Sequence, residues 1–218
     1  MIIAKASAEI LEDVHNPEVT LGILKKIERI GRSCYVSENN ITEDSCRTFV
    51  RHLIERQHEA MLEHASLTVK FTVDRGVSHE IVRHRVASFA QESTRYCNYS
   101  KGKFGGEITV IQPCFLKTGS KDWVSWYDGC KAAEEAYFAM LNSGRTPQEA
   151  RDVLPTSLKT TLWMTANIRE WRHFLKLRAA GITGAPHPQM VEVAMPLLNE
   201  LQETLPELFD DIEVKNNG

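Results

Sequence analysis

The sequence has no apolar run near the ~18 uncharged residues needed to cross a bilayer. Its longest charge-free stretch, Ala179 to Val191, is broken by two glycines, two prolines and a histidine. The first residues turn acidic by Glu9 and lack the apolar core and small-residue cleavage pattern of a secretory signal. Cysteine is scarce: five in 218 residues, an odd number with no C-x-x-C pair. That excludes a disulfide scaffold. The expectation is a cytoplasmic chain whose thiols are reduced and mostly buried. Neither charge sign dominates, with 26 Lys and Arg against 29 Asp and Glu and a net charge of −3. Nucleic acid held mainly by overall charge is therefore not an expected partner, and neither is a membrane. Three motifs are also missing: G-x-G-x-x-G, G-x-x-x-x-G-K-[ST] and H-E-x-x-H. His58-Glu59 begins the last, but Leu62 stands where its second His belongs. No metal site is expected, because His52, His58 and His64 do not share a helix face at their spacing.

What the chain does contain is ordinary globular composition, 42% hydrophobic and 25% charged. MIIAKA reads as a short strand. Asn16-Pro17 reads as a helix cap and first turn before Val19, Ile23, Leu24 and Ile27, with Gly31 as the stop. A second helix is expected from Thr42, with Cys46, Phe49, Val50, Leu53 and Ile54 as its apolar stripe. Leu67, Val69, Phe71 and Val73 alternate with polar residues and predict a strand. A short helix capped by Ser78 is expected over 77–85, and a strand over 107–112. Lys121 to Asn142 predicts a long helix, and Thr146-Pro147-Gln148-Glu149 a capping box. A strand over 156–166 and a helix capped at Asn167 follow, then a Gly/Pro loop and a helical C-terminal region kinked or split by Pro196 and Pro206. The fold class is α+β: a small mixed or antiparallel sheet flanked by helices, in a single domain covering 1–218.

Charge is concentrated in one place. From Arg75 to Lys103 stand Arg75, Arg83, Arg85, Arg95, Lys101 and Lys103 against only Glu80 and Glu92. Composition leaves two readings of this stretch: a solvated basic loop, or a grip on phosphate, for which Arg is suited by its bidentate fork. If the segment is extended, Ser93 and Arg95 face one side. A second polar cluster, Asn167, Arg169, His173 and Arg178, lies on or beside a short helix whose other face carries Trp171, Phe174 and Leu175. Arg169 and His173, four residues apart, share a face of that helix.

These residues resemble a known family. Arg83-His84-Arg85, seven residues, then Ser93 is the R-H-R-x7-S motif of the flavin-dependent thymidylate synthases, and the match extends through Ser88, Gln91, Arg95 and Tyr96. His58 to His64 resembles the family's segment that carries a flavin-contacting His. Arg151-Asp152-Val153-Leu154-Pro155 and the run Trp163 to Arg169 resemble its second conserved block, which His173 to Arg178 completes. The strongest likeness covers 58–96 and 151–178.

The resemblance implies a fold like that of these enzymes and a homotetramer with active sites shared between subunits. It implies reductive methylation of dUMP to dTMP, with FAD as cofactor. NADPH and methylenetetrahydrofolate are the implied co-substrates, and tetrahydrofolate is released. By position it implies that His58, Ala60, Arg83, His84, Arg85, Gln91, Asn167, Arg169 and His173 contact the flavin. It implies that Glu80, Arg83, Gln91, Glu92, Ser93, Thr94, Arg95, Arg151 and Arg178 form the dUMP site, with Arg95 on the phosphate. Arg178 is implied as the catalytic group at the uracil N3/O4 edge. Three positions depart from the family's usual residues: Glu80 stands for Gln, Ala60 for Ser or Thr, and Glu92 for an apolar residue.

Overall fold

A computed structural model describes residues 1–102 and 105–214. Lys103, counted above in the basic stretch, lies outside the described residues. The strands are β1 (Ile2–Ala4), β2 (Ser7–Ile10), β3 (Ser66–Asp74), β4 (Ala87–Gln91), β5 (Thr109–Ile111) and β6 (Lys159–Asn167). The helices are α1 (Pro17–Ser33), α2 (Ser45–Glu55), α3 (Arg75–Ile81), α4 (Lys121–Asn142), α5 (Pro147–Ala150), α6 (Ile168–Arg178), α7 (Pro188–Thr204) and α8 (Pro206–Phe209). The fold is α+β. Strands β1 and β5 pair in parallel, and a four-stranded sheet has the order β2-β3-β6-β4. Among the described residues no helix is long and apolar enough to cross a membrane.

The chain divides into two compact units. One comprises residues 1–7, 71–83 and 90–163; the other comprises 8–70, 84–89 and the chain from 164 on. No linker in the sequence marks this division, because the units exchange segments instead of following one another along the chain. In the first unit, Ile108, Val110, Cys130, Tyr137, Ala150 and Leu158 form a buried cluster. Thr146 and Glu149 make the reciprocal capping box expected before α5. In the second unit α1 packs on α2, and α6 packs on α7 and on the 3-10 turn Glu59–His64. Alternation explains the two long strands: Leu67, Val69, Phe71 and Val73 in β3, and Thr160, Leu162, Met164 and Ala166 in β6, are all buried.

Several local expectations are corrected. Asp74, not Ser78, caps α3: its Oδ1 accepts from the Val77 N–H at 2.9 Å, while the Ser78 hydroxyl donates to the Arg75 carbonyl. A carboxylate at the helix start outcompetes a hydroxyl one turn inside it. Gly31 does not stop α1, which runs on to Ser33. Its lack of a side chain serves packing instead, since a Cβ there would meet the Phe49 ring at 2.7 Å. Pro196 is accommodated inside α7, whereas Pro206 opens the separate α8. Cys46 and Cys130 are buried as expected, but Cys34 and Cys114 are exposed.

Candidate active site

In the second unit, the N-terminus of α6 is set by Asn167, whose Oδ1 accepts from the Glu170 N–H at 2.9 Å. The helix is then held rigidly. Trp171 donates its indole N–H to the Leu67 carbonyl at 3.0 Å, and the buried Arg172 grips Asp211 with two bonds of 2.7 Å and also reaches the Leu208 carbonyl. Burial works against the Asp211 charge, but the Arg172 fork prevails and holds its carboxyl below the usual range.

On this anchored helix sits a buried chain of polar groups. His84, 5% exposed, places Nδ1 at 3.1 Å from the Glu170 carboxylate. Arg178, the last residue of α6, donates Nε–H to His84 Nε2 at 3.1 Å. Arg Nε can only donate, so His84 Nε2 must accept, and the imidazole proton therefore resides on Nδ1. Burial, and then the nearby Arg178 charge, push the His84 imidazole below its ordinary range against the opposing bond from Glu170. His173 and Phe174 wall the ring, with centroids 5.6 and 4.9 Å away. Ligand-type atoms of His84, Glu170 and His173 lie within 4.8 Å of one another. With both His84 nitrogens engaged, the ring has no lone pair left for a cation, and the group is a hydrogen-bonded cluster.

Beside it, Arg169 is exposed and pairs with Glu63 at 2.6 Å and Glu59 at 3.7 Å. The segment that carries His58 and Ala60, both exposed, is thereby tied to α6. Arg85 and His173 are exposed as well.

The first unit carries a different arrangement. A cleft of about 210 Å³ is lined by Arg75, His79, Thr94 and Arg151, with Leu154 and Leu158 on its apolar side. Arg151 Nη1 reaches Thr94 Oγ1 at 3.5 Å. Arg75 is anchored by its backbone N–H to the Thr156 carbonyl at 3.0 Å, and its Nη1 points to the Glu92 carbonyl at 3.4 Å. Two guanidiniums, an imidazole and a hydroxyl around a small cleft are a donor set for a phosphate monoester.

The residues between β4 and this cleft are tethered one by one. Gln91 donates to Ser78 and Thr160 at 2.9 and 3.3 Å. Glu92 accepts from Lys159 at 2.8 Å and from Tyr99 at 3.3 Å, and burial with the Glu92 charge pushes the Tyr99 hydroxyl well up. Glu92 and Lys159 are the charged lining of a larger cleft of about 530 Å³, where each answers the other. Ser93 and Arg95 do not share one side of an extended segment: residues 94–96 form a turn in which Ser93 Oγ accepts from the Arg95 N–H at 3.3 Å. Arg95 is exposed over the Tyr96 ring at 5.5 Å. Glu80 is half-buried on α3, and Arg83 just beyond that helix is exposed.

The structure thus unites Thr94 with Arg151, and His84 with His173 and Arg178. Three members of these groupings were given no role by the resemblance, although they lie within its matching segments: Arg75, His79 and Glu170. The run of basic residues was the only signal pointing to Arg75, and Glu170 looked like an ordinary acid in a first helical turn.

A family model and sequence relatives point to one family, and a solved structure shares the fold. A family model described as "Thymidylate synthase complementing protein" matches residues 18–207. The chain is 32% identical to the flavin-dependent thymidylate synthase of Corynebacterium aurimucosum, over 86% of this chain and 79% of that one. It is 29% identical to that of Mycolicibacterium gilvum, over 98% of this chain and 89% of the relative. Among solved structures, the UMP/dUMP methylase PolB from Streptomyces cacaoi bound with 5-Br dUMP superposes with a TM-score of 0.76 at 22% identity, covering 96% of both chains.

Proposed function

The chain belongs to the flavin-dependent thymidylate synthases, and from that premise we propose that it methylates dUMP at C5 to give dTMP. Methylenetetrahydrofolate is the carbon donor, NADPH the reductant, and tetrahydrofolate the released folate. One observation supports this most. The R-H-R-x7-S motif stands in register with the 151–178 block, in a fold where Arg151 reaches Thr94 and Arg178 reaches His84.

The donor set around α6 fits a flavin. Arg85 and Arg169 offer exposed guanidiniums for a diphosphate, His173 an exposed imidazole, and Asn167 an amide NH2 beyond its capping oxygen. His58, Ala60, Arg83, His84 and Gln91 complete the set by family position. Bound FAD supplies the hydride chemistry that no side chain provides.

Arg151, Thr94, Ser93 and Arg95 hold the dUMP phosphate, joined by Arg75 and His79. Glu80, Gln91 and Glu92 shape the nucleotide loop. Arg178 faces the N3/O4 edge of the uracil and stabilises the negative charge that builds on the ring as C5 attacks, in the manner of an oxyanion hole. Ser93 binds and does not attack: among the described residues its Oγ serves the Arg95 N–H, and no basic side chain is paired with it. The site cations left at the surface, Arg83, Arg85, Arg95 and Arg151, suit an active site completed by neighbouring copies in a homotetramer.

The test is an assay with dUMP, methylenetetrahydrofolate, FAD and NADPH, read by the mass of the nucleotide product. The expected product is dTMP, from a protein that is yellow with bound flavin and has the mass of four chains by light scattering. A hydroxymethylated nucleotide, or a protein that takes up no flavin, contradicts the reading.

A further inference from the structure

Glu170 is buried, lies in the first turn of α6, and is given no role by the family resemblance. Its carboxylate meets His84 Nδ1, and His84 Nε2 in turn meets Arg178 Nε, each at 3.1 Å. Glu170 and Arg178 are eight residues apart, about 12 Å along the helix axis. The contact closes because the long Arg178 side chain leans back toward the N-terminus of α6, as helical side chains do. His84, from outside the helix, bridges the two.

The direction of these bonds is fixed by chemistry. A carboxylate accepts, and an arginine donates. The imidazole between them satisfies both only with its proton on Nδ1. If the proton moved to Nε2, two N–H groups would face each other at Arg178 and Nδ1 would face the carboxylate lone pairs. If the ring were doubly protonated, the clash at Arg178 would remain. The ring has little room to turn away, since His173 and Phe174 stand against it.

We propose that Glu170 is a positioning residue: by accepting the Nδ1 proton of His84 it makes Nε2 an acceptor that holds the Arg178 guanidinium in one orientation. This rests on the role given above to Arg178 at the pyrimidine edge. Glu170 is buried, its carboxylate bonds His84, and the functional reading above gives it no contact with substrate or flavin. Its effect reaches the reaction through the tautomer of His84.

Imidazole nitrogen-15 NMR on the full chain tests this, with the His84 signal assigned through His84→Gln, alongside Glu170→Leu and Glu170→Gln. The wild type is expected to show the Nδ1–H tautomer at neutral pH, before any flavin or nucleotide is added. Glu170→Leu is expected to lose that single tautomer, and its kcat for dTMP to fall roughly 10-fold or more with the dUMP KM changed far less, as when outer-shell partners are removed. Glu170→Gln, whose Oε1 still accepts from Nδ1, is expected to keep the tautomer and recover most of the turnover. A wild-type His84 protonated on Nε2, or Glu170→Leu turning over like wild type, overturns the proposal. Should Glu170→Leu fail to fold, the tautomers of the wild type and of Glu170→Gln decide it. A wild type that forms no dTMP defeats the functional reading, while the tautomer measurement still judges the Glu170–His84–Arg178 chain.

Discussion

The two polar regions of this protein are built on opposite electrostatic plans. Around α6, the charges of Glu170 and Arg178 are answered internally through a neutral His84, and the group is largely buried. Around the 210 Å³ cleft, the partners of the Arg75 and Arg151 guanidiniums among the described residues are a carbonyl, a hydroxyl and, at 4.0 Å, the exposed Asp152. A closed network fixes orientation at the cost of adaptability. An open pair of guanidiniums waits for an anion. The first plan suits a group that must act on a developing charge, and the second suits a group that must capture a phosphate.

That contrast predicts separable defects. Arg178→Ala removes the group proposed to act on the uracil ring. Its turnover is expected to fall by roughly 10²–10³-fold, the scale of losing one oxyanion-hole donor. The flavin absorbance of the purified variant is expected to be retained, and full activity would erase the distinction between the regions. Arg151→Ala belongs to the other plan. Calorimetric dUMP affinity is expected to weaken roughly 10–100-fold, as for a charge-assisted hydrogen bond, with kcat changed far less. Unchanged affinity would remove the phosphate from this cleft. Arg75→Gln sharpens the comparison, because the family resemblance gave Arg75 no role. A weakening of about 10-fold is expected, and it should shrink as salt is raised.

The smallest effect concerns pH. His84 in the folded chain sits below its ordinary value near 6.5, so in that window the unfolded chain binds more protons. Stability is therefore complete above about 6.5 and is lost as pH falls through the folded value. Among the described residues, Glu170, Arg178 and His173 are the charged or titratable groups that face the ring. Melting temperatures of wild type and His84→Gln should converge as pH is lowered from 7 through that window. A wild type that grows more stable there would contradict a neutral, buried His84.

Much of the frame was legible in the sequence. α4 spans the expected 121–142, β3 follows its alternation, and Asn167 caps α6. These features are written in local periodicity and capping chemistry. β4 was not legible, because Ala87-Ser88-Phe89-Ala90-Gln91 lacks an apolar alternation and becomes a strand by pairing with β6. The turn at 94–96 was missed for a related reason: a Ser side chain bonding its own backbone two residues on competes with extension. Of the proposed site, the motif residues were marked in the sequence by the family resemblance. Arg75, His79 and Glu170 were not, since each joins the site only through contacts distant in sequence: Arg75 with Glu92, His79 with Arg151 across the cleft, and Glu170 with His84.

The most direct measurement of the central claim uses folate labelled with carbon-13 at the transferred methylene, supplied with dUMP, FAD and NADPH. The label is predicted to appear in the C5 methyl group of dTMP. Label in a hydroxymethyl group, or a dUMP pool left unlabelled by flavin-loaded protein, would contradict it.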